Sequence, residues 1–362
     1  MDRKKGELFS LLLLSLACRC FCQPFPYIYY VFADYYYPYD VAINSESGEV
    51  FVALGSSVIR LNSRLELQEE IPVDGHLLQL TLSPNNDWLL ACVDMDWAWN
   101  VHVFSSADLS RGNSTSVSTL IFNDTYTSQL ELIATYSGFY LGAVQFDDEY
   151  YPVSMWLGQY NYTSSSPVRE GYYNFSTRRL FDRFFIGGFS KNNFVYFFVN
   201  DVETERAAIR VLRVCDCDQS CSSNDFEALY ELELRCSCDS RLGLSSINSV
   251  TLLESFANLN ETVILLLDND VTCGLSLSSI NEDIHTTYKS CANNAQASFQ
   301  LPWEEYPQQC VNFSVSNNYC SYNIPHVASY YAMALNLKLV YKRGVARTKK
   351  MATGDIFKTY KV

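Results

Sequence analysis

Residues 184–236, FFIGGFSKNNFVYFFVNDVETERAAIRVLRVCDCDQSCSSNDFEALYELELRC, hold three strands in a row and decide the fold. Phe194 to Val199 carries aromatic and β-branched residues at every position, so it reads as a strand with apolar groups on both faces. The GGFSKNN before it supplies the turn. Ile209 to Val214 alternates apolar and polar residues and stops at Cys215. Tyr230 to Arg235 alternates again and stops at Cys236. Two cysteines closing two alternating strands predict a disulfide-braced, half-buried antiparallel sheet.

The same signal recurs on either side. EVFVALG and SVIRLN (49–62) predict a hairpin around Gly55-Ser56-Ser57, and LLQLTLSPNNDWLLACVD (77–94) another, turned at Pro84 to Asp87. Further strands are expected at 100–105, 118–123, 130–146, 153–161, 263–277, 333–343 and 355–362. Ser105–Ser118 and Asn293–Asn318 read as loop-like insertions, the first polar and mobile. No long 3.6-residue apolar stripe argues for helices. With 26 Tyr and 22 Phe the composition favours strands. The expectation is an all-β chain, and its many short antiparallel strands with no dividing linker point to a β-propeller rather than two sandwiches. At roughly 40–50 residues per four-stranded blade, the length suggests about six or seven blades.

The N-terminus combines Arg3, Lys4 and Lys5 with an apolar run from Leu8 to Ala17, which is too short to span a membrane and reads as a secretory signal peptide. Cleavage after Cys22 leaves ten cysteines, an even number suited to an oxidising compartment. The expected organisation is a signal peptide at 1–22 and one domain at 23–362. Six N-x-Ser/Thr sequons, at Asn113, Asn123, Asn161, Asn174, Asn260 and Asn312, predict a glycosylated surface. Residues 1–22 hold four of the 26 basic and two of the 40 acidic residues, so the rest carries 22 against 38, a net charge of −16. That acidity argues against nucleic acid as a partner and suits a soluble ectodomain. The last 25 residues reverse it, with eight Lys/Arg against Asp355 alone.

Candidate chemistry is sparse. Cys215-x-Cys217-x3-Cys221 with Cys236-x-Cys238 resembles a zinc cluster only loosely, and an oxidising compartment favours disulfides, so no metal is expected. His76, His102, His285 and His326 lie at no ligand spacing. Asp147-Asp148-Glu149, Asp268-Asn269-Asp270 and Glu304-Glu305 read as solvated turn acids rather than as the acid and base of a glycosidase. Nucleophile-elbow and nucleotide-binding fingerprints are lacking. Neither catalysis nor a cofactor is expected.

FIGGFSKNNFVYFFV, RVLRVC and LYELELRC together resemble the sema domain of plexins and of the hepatocyte growth factor receptor family. DVAINSESGEVFVALGSSVIRLNSRLEL (40–67), GFYLGAVQFDDEYYPVSMWL (138–157) and the stretch from Val263 to Cys291 are similar to other parts of that domain, the last including an Ile-Asn helix start. The resemblance implies a seven-bladed propeller in the family, of which this chain holds about six, the last missing or incomplete at Val362. It implies disulfides Cys236–Cys273, Cys291–Cys310 and Cys215–Cys320. Cys310 competes for the place of Cys320 in the last pair, and Cys92, Cys217, Cys221 and Cys238 have no assigned partners. The family's first-blade cysteine pair is missing around IPVDGHLLQL, and Cys92 matches one member of a second-blade pair whose partner position in WAWN holds no cysteine, so ligand-contacting loops there do not transfer.

The resemblance further implies an extracellular or plasma-membrane ectodomain of a plexin-like receptor. Its partners would be a semaphorin-like protein or another sema domain, a homodimer included, and its only membrane contact would come through a C-terminal region beyond this chain. The alternative is a secreted semaphorin-like ligand or soluble decoy.

Overall fold

A computed structural model of the chain describes residues 40–94, 99–116, 126–127, 130–146, 152–164, 166–174, 181–203, 206–216, 230–235, 247–256, 259–267, 272–293, 298–299, 308–309 and 331–333. Within them the chain is almost entirely strand. The first sheet is a meander of β1 (Asp40–Ile43), β2 (Val50–Leu54), β3 (Ser57–Leu61) and β4 (Leu67–Pro72), and the second a meander of β5 (His76–Leu82), β6 (Trp88–Asp94), β7 (Trp99–Ser105) and β8 (Arg111–Ser116). The third runs β10 (Glu131–Ala134), β11 (Gly138–Phe146), β12 (Pro152–Asn161), β13 (Pro167–Asn174), with β9 (Tyr126–Thr127) also on β11. The fourth runs β14 (Phe181–Lys191), β15 (Phe194–Glu203), β16 (Arg206–Cys215), β17 (Tyr230–Arg235). The fifth is β18 (Ile247–Phe256), β19 (Leu259–Leu267) and β20 (Thr272–Ser276), leading into helix α1 (Leu277–Asn293). Two short strands, β21 (Ser298–Phe299) and β22 (Gln308–Gln309), pair with each other, and β23 (Tyr331–Met333) adds in parallel to β17.

Two compact units are distinguished, one holding the first and second sheets, the other the remaining three and the helix. In the first, β1 lies against β5, where Asp40 Oδ2 accepts a hydrogen bond from the Leu80 N–H at 2.8 Å. Phe51, Ala53 and Val58 of the first sheet meet Leu77, Leu89, Ala91, Val93 and Phe104 of the second in one apolar layer. In the second unit, the leading strands follow one another, β10 against β14 and β14 against β18.

The strand FVYFFV is buried on both faces. Val195, Phe197 and Val199 enter one core with Ile133, Tyr140, Met155, Leu157 and Phe185 of the third and fourth sheets. Tyr196 and Phe198 enter a second core with Val263, Leu265 and Leu275 of the fifth sheet and Leu277, Ile280 and Ile284 of α1. This two-sided burial explains why alternation fails there and apolar residues run on, as they do in any strand packed on both sides. The turn before it is a two-residue hairpin, Lys191 opposite Phe194. Asn192 and Asn193 both hold positive φ (53° and 63°), the geometry whose twist matches the flanking strands and which Asn tolerates.

Four expectations change. The half-buried reading of Ile209–Val214 is wrong, since Arg210 and Arg213 are buried as well, Arg213 held by the Asn281 amide oxygen and the Phe194 ring. The polar Ser105–Ser118 loop contains β8, whose backbone pairs with β7, and the ladder overrides weak strand propensity. Asn293–Asn318 contains the β21–β22 pair. The GGFSKNN turn narrows to Asn192-Asn193, because β14 runs on through Gly187 and Gly188 to Lys191. The helix start that the resemblance implies at Ile280-Asn281 lies in the first turn of α1, which buries Leu277, Ile280 and Ile284. Ser276 caps it, its Oγ accepting from the Ser279 N–H at 3.4 Å. The strands expected at 118–123 and 355–362 lie outside the described residues, as does all but the start of that at 333–343.

A methyl group on Gly188 would land on the Tyr196 carbonyl oxygen and the Ile133 side chain, and backbone does not yield as a side-chain tip does. Gly188→Ala is expected to destabilise by about 1–3 kcal/mol through overpacking and Phe197→Ala by about 3–5 kcal/mol through the cavity it leaves, both read from urea unfolding.

Candidate protein-recognition surface

The leading hairpins of the third and fourth sheets bring their turns beside each other and beside the start of β19. Ser190 Oγ donates to the Ala134 carbonyl at 3.0 Å, joining the β14 end to the β10 end. Lys191 Nζ stands 3.7 Å from Glu261 Oε1, and Asn192 Nδ2 reaches the same oxygen at 3.5 Å, joining the β14–β15 turn to the start of β19. Tyr136 projects from the β10–β11 turn at 74% exposure, flanked by exposed Ser137, with exposed Asn192 and Asn193 on the neighbouring turn. A rigid aromatic beside short polar side chains gives contact area and adaptable hydrogen bonding at low conformational cost. The turn beneath Tyr136 is fixed by Thr135, whose N–H and Oγ1 both donate to the Gly138 carbonyl, at 2.8 and 3.2 Å.

A buried polar network underlies these turns. The Asp216 N–H donates to the Asn193 carbonyl at 2.8 Å. Tyr140 OH donates to Asp216 Oδ1 at 3.1 Å, and Arg169 Nη2 donates to Tyr140 OH at 3.0 Å. Arg169 Nε donates to Gln159 Oε1 at 2.6 Å, and Nη2 also reaches the Cys215 carbonyl. One guanidinium thus ties β11, β12 and β13 to the end of β16. Burial pushes the Tyr140 phenol well above its ordinary range, against the opposing pull of Arg169. The phenol therefore stays protonated through neutral pH, and its contribution to stability is lost only as pH rises through that elevated folded value.

A second node anchors α1. Asn281 Oδ1 accepts from Tyr196 OH at 2.9 Å and from Arg213 Nη1 at 2.7 Å, while the Arg213 guanidinium lies 4.2 Å from the Phe194 ring centre. One amide oxygen and one aromatic face hold a buried cation, with the helix joined to β15 and β16.

Among the cysteines, Cys215 ends β16, Cys273 sits in β20, and both are disulfide-bonded. Cys291 lies in α1, while Cys236, Cys310 and Cys320 lie outside the described residues. Cys92 is a buried thiol in β6. Of the sequons, Asn113 lies in β8, Asn161 ends β12, Asn174 ends β13 and Asn260 lies in β19 at the rim of the turn surface, with Asn123 and Asn312 outside the described residues. The three acidic clusters also lie outside them. Among the described residues no group of His, Cys, Asp and Glu could hold a metal ion, and no helix is long and apolar enough to cross a membrane. Sequence reading missed Arg169 and Asn281, whose roles depend on partners 10 to 85 positions away.

No protein-family model and no curated protein matches the chain by sequence. Solved structures do match it. Two structures of the plexin A4 extracellular region, domains 1 to 8 and domains 1 to 10, align with a TM-score of 0.55 at 13% identity over 81% of this chain. The fold is that of a sema-type β-propeller. Drosophila semaphorin 1a, extracellular domains 1-2, aligns with a TM-score of 0.47 at 12% identity, covering 78% of this chain and 58% of that one. The chain spans 40% and 31% of the two plexin chains.

Arg169→Ala is expected to destabilise by about 3–5 kcal/mol in denaturant titration, because it strips Gln159 and the Cys215 carbonyl of a buried donor. Asn281→Ala is expected to cost about 1–3 kcal/mol and to perturb the near-ultraviolet signal of the aromatic cluster around Phe194.

Proposed function

We propose that this chain is the ligand-recognising sema domain of a plexin-like cell-surface receptor, binding a semaphorin-like protein outside the cell. The likeness of its fold to the plexin A4 extracellular region carries the reading, and the residues quoted from 184–236 support it. Recognition needs shaped, rigid surface rather than catalytic groups, and the turn surface around Tyr136 is of that kind. In this reading residues 1–22 are removed on secretion, and the bridges are Cys236–Cys273, Cys291–Cys310 and Cys215–Cys320. Each closes a long loop and stabilises by about 3–5 kcal/mol in the chain-entropy account. The partner is a protein, with no cofactor, metal or nucleic acid involved.

The full chain, secreted from mammalian cells and shown to be monodisperse, is tested by surface plasmon resonance against a panel of semaphorin ectodomains. At least one is expected to bind, with Tyr136→Ala weakening it about tenfold, or about 1.4 kcal/mol. An Asn260→Gln variant run alongside removes the sequon at the rim of the surface. Binding to no semaphorin would overturn the receptor reading, and binding to a plexin ectodomain instead would replace it with the ligand reading. Non-reducing peptide mapping checks the three bridges, and a Cys215–Cys310 peptide would displace the third.

A further inference from the structure

The outer strand of each sheet exposes unpaired backbone groups unless something covers or blunts them, and such edges invite another strand to add. Three of the five are accounted for. β4, LQEEIP, ends in Pro72, which has no N–H to offer, and carries Glu69 and Glu70. β17 takes β23 in parallel along Glu233–Arg235. β20 passes directly into α1.

The remaining two, β8 and β13, end their sheets with no further strand among the described residues. β8, RGNSTS, has no charge beyond Arg111 and no proline. β13, PVREGYYN, is eight residues long and pairs with β12 in unbroken register from Arg169 to Asn174, and Val168 on it is one of two large hydrophobic residues exposed among the described ones. These are the outer strands on which sequons fall. Asn113 lies within β8, and Asn174 is the last residue of β13. Asn161 stands at the other end of the β12–β13 hairpin, half-exposed in a turn closed by the Ser164 N–H on the Asn161 carbonyl at 3.3 Å, with Thr163 of its sequon exposed.

We propose that N-linked glycans on Asn113, Asn161 and Asn174 guard the edges of β8 and β13 against strand addition. A branched, hydrated glycan on the strand or at its ends excludes an incoming chain by volume, where β4 excludes it by charge and proline. The turns that form the surface around Tyr136, residues 135–138 and 190–193, carry none of the three sequons, and in this reading that surface remains the one offered to a partner. The inference rests on the secretory reading above, because the oligosaccharide is added only in that pathway.

The test uses the full chain secreted from mammalian cells. Glycopeptide mass spectrometry is expected to find Asn113, Asn161 and Asn174 occupied, each signal lost in the matching Thr115→Ala, Thr163→Ala or Ser176→Ala variant. Trimming the folded protein with an endoglycosidase, which avoids any folding defect of a variant, is expected to turn a monomer into concentration-dependent oligomers by light scattering. Val168→Lys, which puts a charge on the β13 edge, is expected to reduce that association. Occupancy at Asn123, Asn260 or Asn312 with none at the three edge sites would overturn the inference while leaving the secretory reading intact. No glycan at any sequon would overturn both. Full occupancy with a trimmed protein as monomeric as the untrimmed one would overturn the guarding role.

Discussion

Burial of β15 on both faces is the constraint on which the second unit depends. Phe197 and Val199 need the third sheet to cover them, and Tyr196 and Phe198 need the fifth. Neither neighbour can be removed without exposing large aromatic surface, at roughly 25 cal/mol per Å² of apolar area. The sheets are therefore stabilised as a stack, each supplying half of a layer that the next completes. The first unit follows the same rule on a smaller scale, with Phe51 of the first sheet meeting Leu89 and Phe104 of the second.

Polar groups buried in such a stack must be satisfied by other strands, and Arg169 and Asn281 do this in complementary ways. Arg169 is a donor that collects acceptors from three strands, while Asn281 is an acceptor that collects two donors, one of them charged. Both nodes lie close to the ends of strands, where a turn surface would otherwise rest on apolar contacts alone. The exposed residues around Tyr136 are held from below by the first of them through Asp216 and Asn193.

Much of this was legible in the sequence. The hairpins at Gly55, at Pro84–Asp87 and at Asn192-Asn193 were readable because Gly and Asn mark positions where the backbone must turn tightly, two of those residues with positive φ at the last. The continuous aromatic run of β15 announced burial on two sides. What escaped reading lacks a local signal. RGNSTS is a strand only because β7 lies beside it. α1 was legible only through the Ile-Asn start of the resemblance, since its described buried residues, Leu277, Ile280 and Ile284, are too few for periodicity to stand out. Arg210 and Arg213 sit in an alternating pattern that ordinarily means water on one side, and only the opposing sheet and helix reveal that there is none. The Asn281 site is likewise invisible until Tyr196 and Arg213 are brought to it across 85 and 68 positions.

A strand sealed between two apolar layers is specified by volume and shape more than by residue identity, since cores accept many substitutions that keep both. Such a strand can exchange Val for Ile or Leu for Met at little cost while the backbone path persists, so a shared fold is compatible with 13% identity. Gly188 is under the opposite regime. The missing side chain there is the shape the packing requires, so no volume-conserving replacement exists for it. At that one position the fold is specified by an absence of volume, while around it volume can be redistributed among neighbours.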